Sequence, residues 1–232
     1  MSISIFFLAL AGCAKTGEPV GVSGSDDAEV ILAIGDSIFE YNAIQKASIP
    51  DVVGETLGVS VVNRSMAGAY FANPDSGAAD SGLDIRAQYR EGAWEWVVVT
   101  GGGNDLNDLC GCGECDSVLD ALIAADGTSG EIPDLVRNIV SDGANVMLVG
   151  YYDARSDADF GFDRCGDEVA ELRRRMGLTA GRTDGVWFVS AADVVSTDDT
   201  EAYAEDRVHP SVVGSELVGA HVAAAIQDAE SG

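Results

Sequence analysis

The sequence predicts an α/β fold, a three-layer α/β/α sandwich built around a five-stranded, mostly parallel sheet. Five short apolar runs alternate with helical stretches, the order typical of parallel strands joined by helices. Several of these runs are almost continuously apolar, which indicates strands covered on both sheet faces. A length of 232 residues and a hydrophobic content of 47% fit a single domain with a sizeable core.

The first half of the chain contains three of the predicted strands, at 29–34, 59–62 and 94–100. A helical stretch at roughly 39–57, interrupted or restarted at Pro50, joins the first two strands. The segment 64–82 is rich in Gly, Ala and Asp and is expected to be a loop, followed by a short helix around 83–90. Each connection is therefore long enough for a crossover between parallel strands.

The second half contains the other two predicted strands, at 145–150 and 186–189. A long, cysteine-bearing loop is expected to run to about residue 115. The predicted helices lie at 116–124, 131–142, 164–177 and, after Pro210, to about 228. Pro210 is interpreted as a first-turn residue of the last helix, where a missing N–H costs nothing.

The N-terminal segment is interpreted as an export signal rather than as part of the fold. Residues 3–11 form an apolar run too short to span a bilayer as a helix. The run ends in Leu10-Ala11-Gly12-Cys13, which resembles the lipobox of bacterial lipoproteins, although no Lys or Arg precedes it. The resemblance implies a signal peptide at 1–12, a lipid on Cys13 and a flexible tether at 13–28, so that the protein is exported and membrane-anchored. A plain secretory peptide is the alternative.

The charge of the chain argues against nucleic acid as a partner. The formal net charge is -26, and only two lysines and eleven arginines offset 39 acidic residues. Such a surface repels phosphate backbones. The simplest explanation for the acidic surface is solubility.

Four cysteines remain besides Cys13, namely Cys110, Cys112, Cys115 and Cys165. An even number in an exported protein favours two disulfides, for which three connectivities exist. Zinc binding and free thiols are the alternatives, but the C-x-C-x-x-C spacing lacks the second C-x-x-C pair of a zinc ribbon.

Four polar segments carry the candidate chemistry. Three follow predicted strands directly, and the fourth lies at the entry to the last helix: Gly35-Asp36-Ser37, Asn63–Gly68, Gly101–Asp105 and Asp206–Pro210. In parallel sheets ligands collect at the carboxyl ends of the strands. We therefore expect the first three segments at one edge, with the fourth facing them.

Ser37 is the candidate nucleophile. A serine hydroxyl reacts at neutral pH only with a base within about 3 Å and a group that orients that base. The chain has two histidines. His209 lies three residues after Asp206, whose carboxylate can reach the ring and stabilise the imidazolium. His221 fits a helix pattern and is interpreted as a packing or surface residue.

The oxyanion formed during acyl transfer needs donors. The backbone N–H groups of Ser37 and Gly68 and the side-chain amide of Asn104 are the candidates, since an amide donates without titrating. Asp36 and Asp105 are expected to be structural acceptors for loop N–H groups.

These four segments, in order and spacing, resemble the blocks of the SGNH, or GDSL, hydrolases over about residues 29–228. The resemblance implies a flavodoxin-like sandwich for 29–232, with Ser37, His209 and Asp206 as the triad and Ser37, Gly68 and Asn104 as the oxyanion hole. It implies no metal and no cofactor. The local sequences look most like the thioesterase I/lysophospholipase branch. The G-x-S-x-G elbow of α/β-hydrolases does not occur.

The expected activity is hydrolysis of small-molecule or lipid acyl esters through the Ser-His-Asp triad. A carbohydrate O-acetyl esterase, an acyltransferase on the same triad and a non-catalytic glycan-binding relative are the alternatives. Two aromatic-rich segments, 70–90 and 151–163, are candidates for an acyl or sugar pocket or for plain packing. The cysteine-bearing insert after Asn104 is expected to form one wall of the site.

Overall fold

The computed structural model describes residues 29–72 and 77–232. Its five strands are β1 (Glu29–Ile34), β2 (Ser60–Asn63), β3 (Trp96–Val99), β4 (Asn145–Gly150) and β5 (Val186–Ser190). They form one sheet in the order β2-β1-β3-β4-β5, and every pairing is parallel. The predicted fold class is confirmed, and this strand order is the flavodoxin-like one.

Burial of the strands follows their place in the sheet. All four residues of β3 and the last five of β4 are buried, because these central strands are covered on both faces. The outer strands β2 and β5 are only partly buried. The apolar runs of the sequence therefore mark the interior of a helix-covered sheet.

Eight α-helices accompany the sheet within the described ranges: α1 (Ser37–Glu40), α2 (Ile49–Leu57), α3 (Ala78–Ser81), α4 (Ile85–Gln88), α5 (Asp116–Leu122), α6 (Glu131–Ser141), α7 (Gly166–Ala180) and α8 (Val212–Ser231). α2 and α8 pack on each other, α6 packs on β4, and α7 packs on β4 and β5. The sheet is thus the middle layer of three.

The helical stretch predicted at 39–57 is divided into α1, a 3₁₀ turn at Ala43–Gln45 and α2. Asn42 and Lys46 on either side of the turn have left-handed backbones, with φ of 66° and 58°. That conformation cannot continue a right-handed helix. Ser48 then starts α2 with a capping box to Asp51. Pro50 lies in the first turn of α2, so the helical stretch restarts at this proline, as expected.

Three further expectations differ from the structure. The loop expected after Asn104 begins with a π-helical turn at Asp105–Leu109, and the loop expected at 64–82 includes α3. Pro210 precedes the helix cap: Ser211 is the N-cap of α8, and its hydroxyl accepts a hydrogen bond from the N–H of Gly214. A serine next to the proline caps the helix, so α8 begins two residues after the proline and not at it.

The four cysteines form two disulfides, as expected. Cys110 pairs with Cys115 inside the insert after β3, and Cys112 pairs with Cys165, one residue before α7. All four sulfurs are therefore engaged, which is at odds with the zinc and free-thiol alternatives. The second disulfide links the insert after β3 to the loop after β4.

The predicted signal peptide, the lipidated Cys13 and the tether at 13–28 lie outside the described residues. In the part of the chain that the structure describes, no helix is long and apolar enough to cross a membrane.

The close approach of α2 and α8 depends on Gly219. A Cβ at this position would lie 2.5 Å from Cβ of Val52 and 3.0 Å from the carbonyl oxygen of Ile49. We expect Gly219→Ala to lower the free energy of unfolding by about 1–3 kcal/mol, because overpacking outweighs the better helix propensity of alanine. Urea denaturation measures the change. Gly166→Ala, at a helix position with no atom within 4 Å, is the control and should not destabilise. Equal stability of the two variants would contradict the packing argument.

Candidate active site

The nucleophile turn follows β1 directly. The side chain of Asp36 accepts the N–H of Ile38 at 3.0 Å and caps α1, which makes Ser37 the first residue of that helix. Buried Gln88 holds the turn through two hydrogen bonds with the backbone of Gly35, at 2.7 and 2.9 Å. A first-turn N–H has no acceptor inside its own helix, so the N–H of Ser37 is available to a ligand.

Ser37, His209 and Asp206 converge as the sequence predicts. His209 Nε2 lies 2.8 Å from Ser37 Oγ, and His209 Nδ1 lies 2.8 Å from Asp206 Oδ2. The other oxygen of Asp206 accepts the backbone N–H groups of Val208 and His209, each at 2.9 Å. The carboxylate thus fixes both the backbone and the ring of the histidine.

Hydrogen bonds also set the ionisation of Asp206. Burial raises its pKa, but the bonds from the backbone and ring of His209 and from the N–H of Val208 outweigh burial, and the pKa lies below its ordinary value. Asp206 is therefore ionised at neutral pH. An ionised carboxylate at Nδ1 favours the tautomer whose bare Nε2 faces the serine hydroxyl.

Two tyrosines support the histidine. The ring of Tyr41 stacks on the imidazole with centroids 4.6 Å apart and planes 1° from parallel. The hydroxyl of Tyr152 donates a 2.7 Å hydrogen bond to the carbonyl oxygen of Val208. These contacts fix the imidazole ring of His209 and the peptide bond that precedes it.

The segment 65–69 leaves one N–H unpaired. The N–H of Ser65 donates to Asn63 Oδ1, and that of Met66 donates to the Gly35 carbonyl. The N–H of Ala67 donates to Glu40 Oε2, and that of Ala69 donates to the Met66 carbonyl. Within residues 29–72 and 77–232, the N–H of Gly68 has no acceptor. Gly68 has a φ of 76°, a left-handed conformation that favours glycine. This N–H is therefore available as a donor, as expected.

Asn104 and Asp105 hold the same segment from the other side. The side-chain amide of Asn104 donates to the carbonyl oxygen of Ala69 at 2.9 Å, which fixes the amide and leaves its second N–H. Buried Asp105 accepts the N–H groups of Phe71 and Ala72 at 3.1 and 2.7 Å, and burial raises its pKa to about 6. Asp105 is thus the loop acceptor that the sequence suggested.

Tyr151 joins the nucleophile turn to the loop Gly101–Asp105, here called the oxyanion loop because it carries Asn104, and sequence reasoning missed this role. Its buried hydroxyl donates a 2.5 Å hydrogen bond to Asp36 Oδ2 and accepts the N–H of Gly103 at 2.9 Å. Burial raises the pKa of Asp36 and raises that of Tyr151 well above its ordinary value. Tyr151 and Tyr152 directly follow β4, and this position after a strand was the available signal.

A cleft opens beside Ser37 and Asn104 and holds about 490 Å³ of empty space, part of it open to solvent. Six apolar side chains line it: Ile38, Ala154, Ala158, Phe162, Val169 and Val208. Of the aromatic candidates, Tyr151, Tyr152 and Phe162 line the cleft, whereas Phe160 is exposed.

The cysteine-bearing insert does not form a wall of this cleft. No residue of 106–115 lines it. Instead, the insert braces a neighbouring loop, because the Asn107 side chain donates to the Phe160 carbonyl and Cys112 is bonded to Cys165. The chain turns away from the cleft in the π-helical segment after Asn104, which the sequence did not reveal.

Within 29–72 and 77–232, the remaining titratable groups form no second centre. His221 lies in α8, where its Nε2 is buried without a hydrogen-bond partner, 3.8 Å from Asp193 Oδ2. The described residues contain no cluster of His, Cys, Asp or Glu side chains arranged to hold a metal ion.

The family model described as the GDSL-like Lipase/Acylhydrolase family matches residues 33–217. No curated protein matches the sequence. Among solved structures, a GDSL-like lipase from Bacteroides thetaiotaomicron is 18% identical with a TM-score of 0.60, covering 87% of this chain and 89% of that one.

Two carbohydrate-active enzymes have the same fold. An acetylxylan esterase from Geobacillus stearothermophilus is 19% identical with a TM-score of 0.55, covering 84% of this chain and 92% of that one. A carbohydrate esterase family 2 enzyme from Corynascus thermopiles is 15% identical with a TM-score of 0.62, covering 88% and 67%. At these identities the likeness establishes the fold and not the substrate.

Tyr151→Phe should weaken the link between the nucleophile turn and the oxyanion loop. It leaves the buried Oδ2 of Asp36 and the Gly103 N–H without a partner, at a cost of about 1–3 kcal/mol in unfolding free energy. We expect kcat on p-nitrophenyl acetate to fall roughly 10- to 100-fold, because small misplacements are costly, while KM changes little.

Tyr89→Phe is the matched control, since Tyr89 is buried and its hydroxyl bonds Asp142 at 2.9 Å outside the cleft. It should lose stability without losing kcat. A similar kcat for both variants would argue against a positioning role for Tyr151.

Proposed function

This chain belongs to the GDSL-like lipase/acylhydrolase family, and from that premise we propose that it is a serine esterase that hydrolyses carboxylic esters. The observation that carries the proposal is the continuous chain of hydrogen bonds from Ser37 Oγ through the imidazole of His209 to Asp206, with 2.8 Å at each step. A nucleophile, its base and the orienter of that base are the parts that acyl transfer requires.

The proposed reaction has two acyl-transfer steps. Ser37 Oγ attacks the ester carbonyl while His209 Nε2 takes its proton, and the imidazolium is stabilised by Asp206. The oxyanion accepts hydrogen bonds from the N–H groups of Ser37 and Gly68 and from the Asn104 amide. His209 then protonates the leaving alcohol, and in the second step it deprotonates the water that releases the acid and restores Ser37.

We propose that the acyl group occupies the cleft. Its lining begins at Ser37 and Asn104, where the carbonyl reacts, and continues over the apolar side chains of Ala158, Phe162 and Val169. This apolar part of the lining suits a hydrocarbon chain. The thioesterase I/lysophospholipase branch remains our proposal for the closer relationship.

A carbohydrate O-acetyl esterase is the second candidate. The fold shared with an acetylxylan esterase and with a carbohydrate esterase family 2 enzyme favours it. In both candidates the triad and the first step are the same, and only the acyl length and the alcohol differ.

We also propose that the protein is exported and held at the membrane by a lipid on Cys13, facing the periplasm or the cell exterior. The sequence Leu10-Ala11-Gly12-Cys13 and the two disulfides support an oxidising compartment. Mass spectrometry of membrane fractions that finds an unmodified Cys13 would contradict the anchor.

Ser37→Ala should lower turnover of p-nitrophenyl acetate by roughly 10⁴–10⁶, because it removes the nucleophile and leaves only binding and the oxyanion donors. A fluorophosphonate should label the wild-type protein at Ser37, as read by mass spectrometry. Ser141→Ala, at an exposed hydroxyl that bonds only its own helix, is the control and should keep full activity. Full activity in Ser37→Ala would contradict the esterase proposal. No labelling of the wild type would also contradict it and would favour a non-catalytic binding protein.

Ala158→Phe should shorten the acyl cleft. Ala158 is buried and lines the cleft, so a phenyl ring there competes with the distal part of an acyl chain. We expect the octanoate-to-acetate ratio of kcat/KM for p-nitrophenyl esters to fall roughly tenfold, the scale of losing a few methylene contacts. Ala224→Phe on the exposed face of α8 should leave the ratio unchanged. An unchanged ratio in a folded Ala158→Phe protein would remove the cleft as the acyl site.

A further inference from the structure

A second, open groove adjoins the cleft at Arg207, which lines both. We call it the alcohol-side groove. It holds about 790 Å³ of space, including open solvent. Its polar lining comes from two stretches of chain, before α7 and before α8: Arg155, Asp157, Thr200, Tyr203, Glu205 and Arg207.

We propose that the alcohol-side groove binds the hydroxyl groups of a neutral saccharide, the alcohol part of the ester. This inference rests on the proposed function, in which the cleft takes the acyl part and His209 protonates the alcohol. Arg207 lies two residues before His209 and lines the cleft. Because the groove meets the cleft at Arg207, we place in it the alcohol of an ester bound in the cleft.

The chemistry of the groove suits hydroxyl groups because donors and acceptors stand side by side. Asp157 lies between the two guanidinium groups, 2.8 Å from Arg155 Nε and 3.1 Å from Arg207 Nε. Arg207 is half exposed, and within the described residues its Nη2 has no acceptor. A sugar hydroxyl both donates and accepts, and therefore matches a carboxylate next to a guanidinium.

The exposed carboxylate of Glu205 adds a second acceptor, and none of the described cations is paired with it. Together with Asp157 it balances the two arginines of the groove. These carboxylates and the net charge of -26 would repel an anionic headgroup. The guanidinium groups would repel a cationic one. A neutral polyhydroxyl group avoids both penalties.

The identity of residue 207 supports a role for its side chain. Arg207 has a φ of 57°, in the left-handed region. The turn in which Asp206 caps the N–H groups of Val208 and His209 accounts for this backbone. Glycine or asparagine is the residue that this conformation favours, and arginine adopts it at a cost of about 1–2 kcal/mol. The backbone conformation therefore does not explain why residue 207 is an arginine.

The first test is direct binding, which does not require turnover. Isothermal titration with xylobiose as the neutral probe should show saturable binding to the wild-type protein. We expect two substitutions, Arg207→Asn and Glu205→Ala, each to weaken this binding roughly tenfold, which is the scale of one lost hydrogen bond to a charged group. Asparagine tolerates the left-handed backbone at position 207. Glucuronate, the anionic probe, should bind more weakly than xylobiose.

Arg137→Ala is the matched control, because Arg137 is half exposed and pairs with Asp134 on α6, outside the groove. It should bind xylobiose like the wild type. Absence of saturable binding by the wild type, wild-type affinity in both groove variants, or tighter binding of glucuronate than of xylobiose would each overturn the inference.

A second test uses two acetate esters that differ only in the alcohol, monoacetylated xylobiose and ethyl acetate. In the groove variants the ratio of their kcat/KM values should fall roughly tenfold in favour of ethyl acetate. An unchanged ratio, with hydrolysis retained, overturns the alcohol-side groove and leaves the esterase intact. No hydrolysis of either ester by the wild type contradicts the proposed esterase, while the titration still decides whether the groove binds saccharide.

Discussion

Strand direction is the constraint on which the site depends. Ser37 and His209 are 172 positions apart in the chain, so their contact forms only in the completed fold. β1, β3 and β4 are parallel neighbours, and their carboxyl ends bring the nucleophile turn, the oxyanion loop and the two tyrosines to one edge. A reversed strand would present its loop at the opposite edge, where none of these hydrogen bonds could form.

The base follows no strand and depends on a different support. Tyr41 and Asn42 come directly after α1, whose first residue is Ser37. Tyr41 stacks on the imidazole, and Asn42 donates to the Pro210 carbonyl at 3.1 Å and to the Ser215 hydroxyl at 3.0 Å. The element that carries the nucleophile therefore also holds the base, so a shift of α1 moves both partners together.

The sequence predicted those parts of the site that depend on local patterns. Apolar runs located the five strands, and the Asp206-x-x-His209 spacing located the contact between the proposed base and its orienter, since each signal lies within a few neighbouring residues. Three features depend on residues far apart in the chain: the partners of Tyr151, the Cys112–Cys165 disulfide and the groove at Arg207. Asp36 and Tyr151, for example, are 115 positions apart. The π-helical turn after Asn104 has no residue signature of its own, which is why the insert was wrongly expected to line the cleft.

The negative charge of Asp206 explains why the proposed oxyanion donors need firm support. Hydrogen bonds hold the pKa of Asp206 below its ordinary value, so its carboxylate is ionised beside His209. That charge stabilises the imidazolium that forms in the proposed reaction when Ser37 is deprotonated, but it disfavours the oxyanion. In a site of low dielectric this opposition is strong, so the donors must be in place before the reaction begins. Asn104 is fixed on Ala69, and the N–H groups on either side of Gly68 are already bonded, so that only the unpaired N–H groups remain for the new charge.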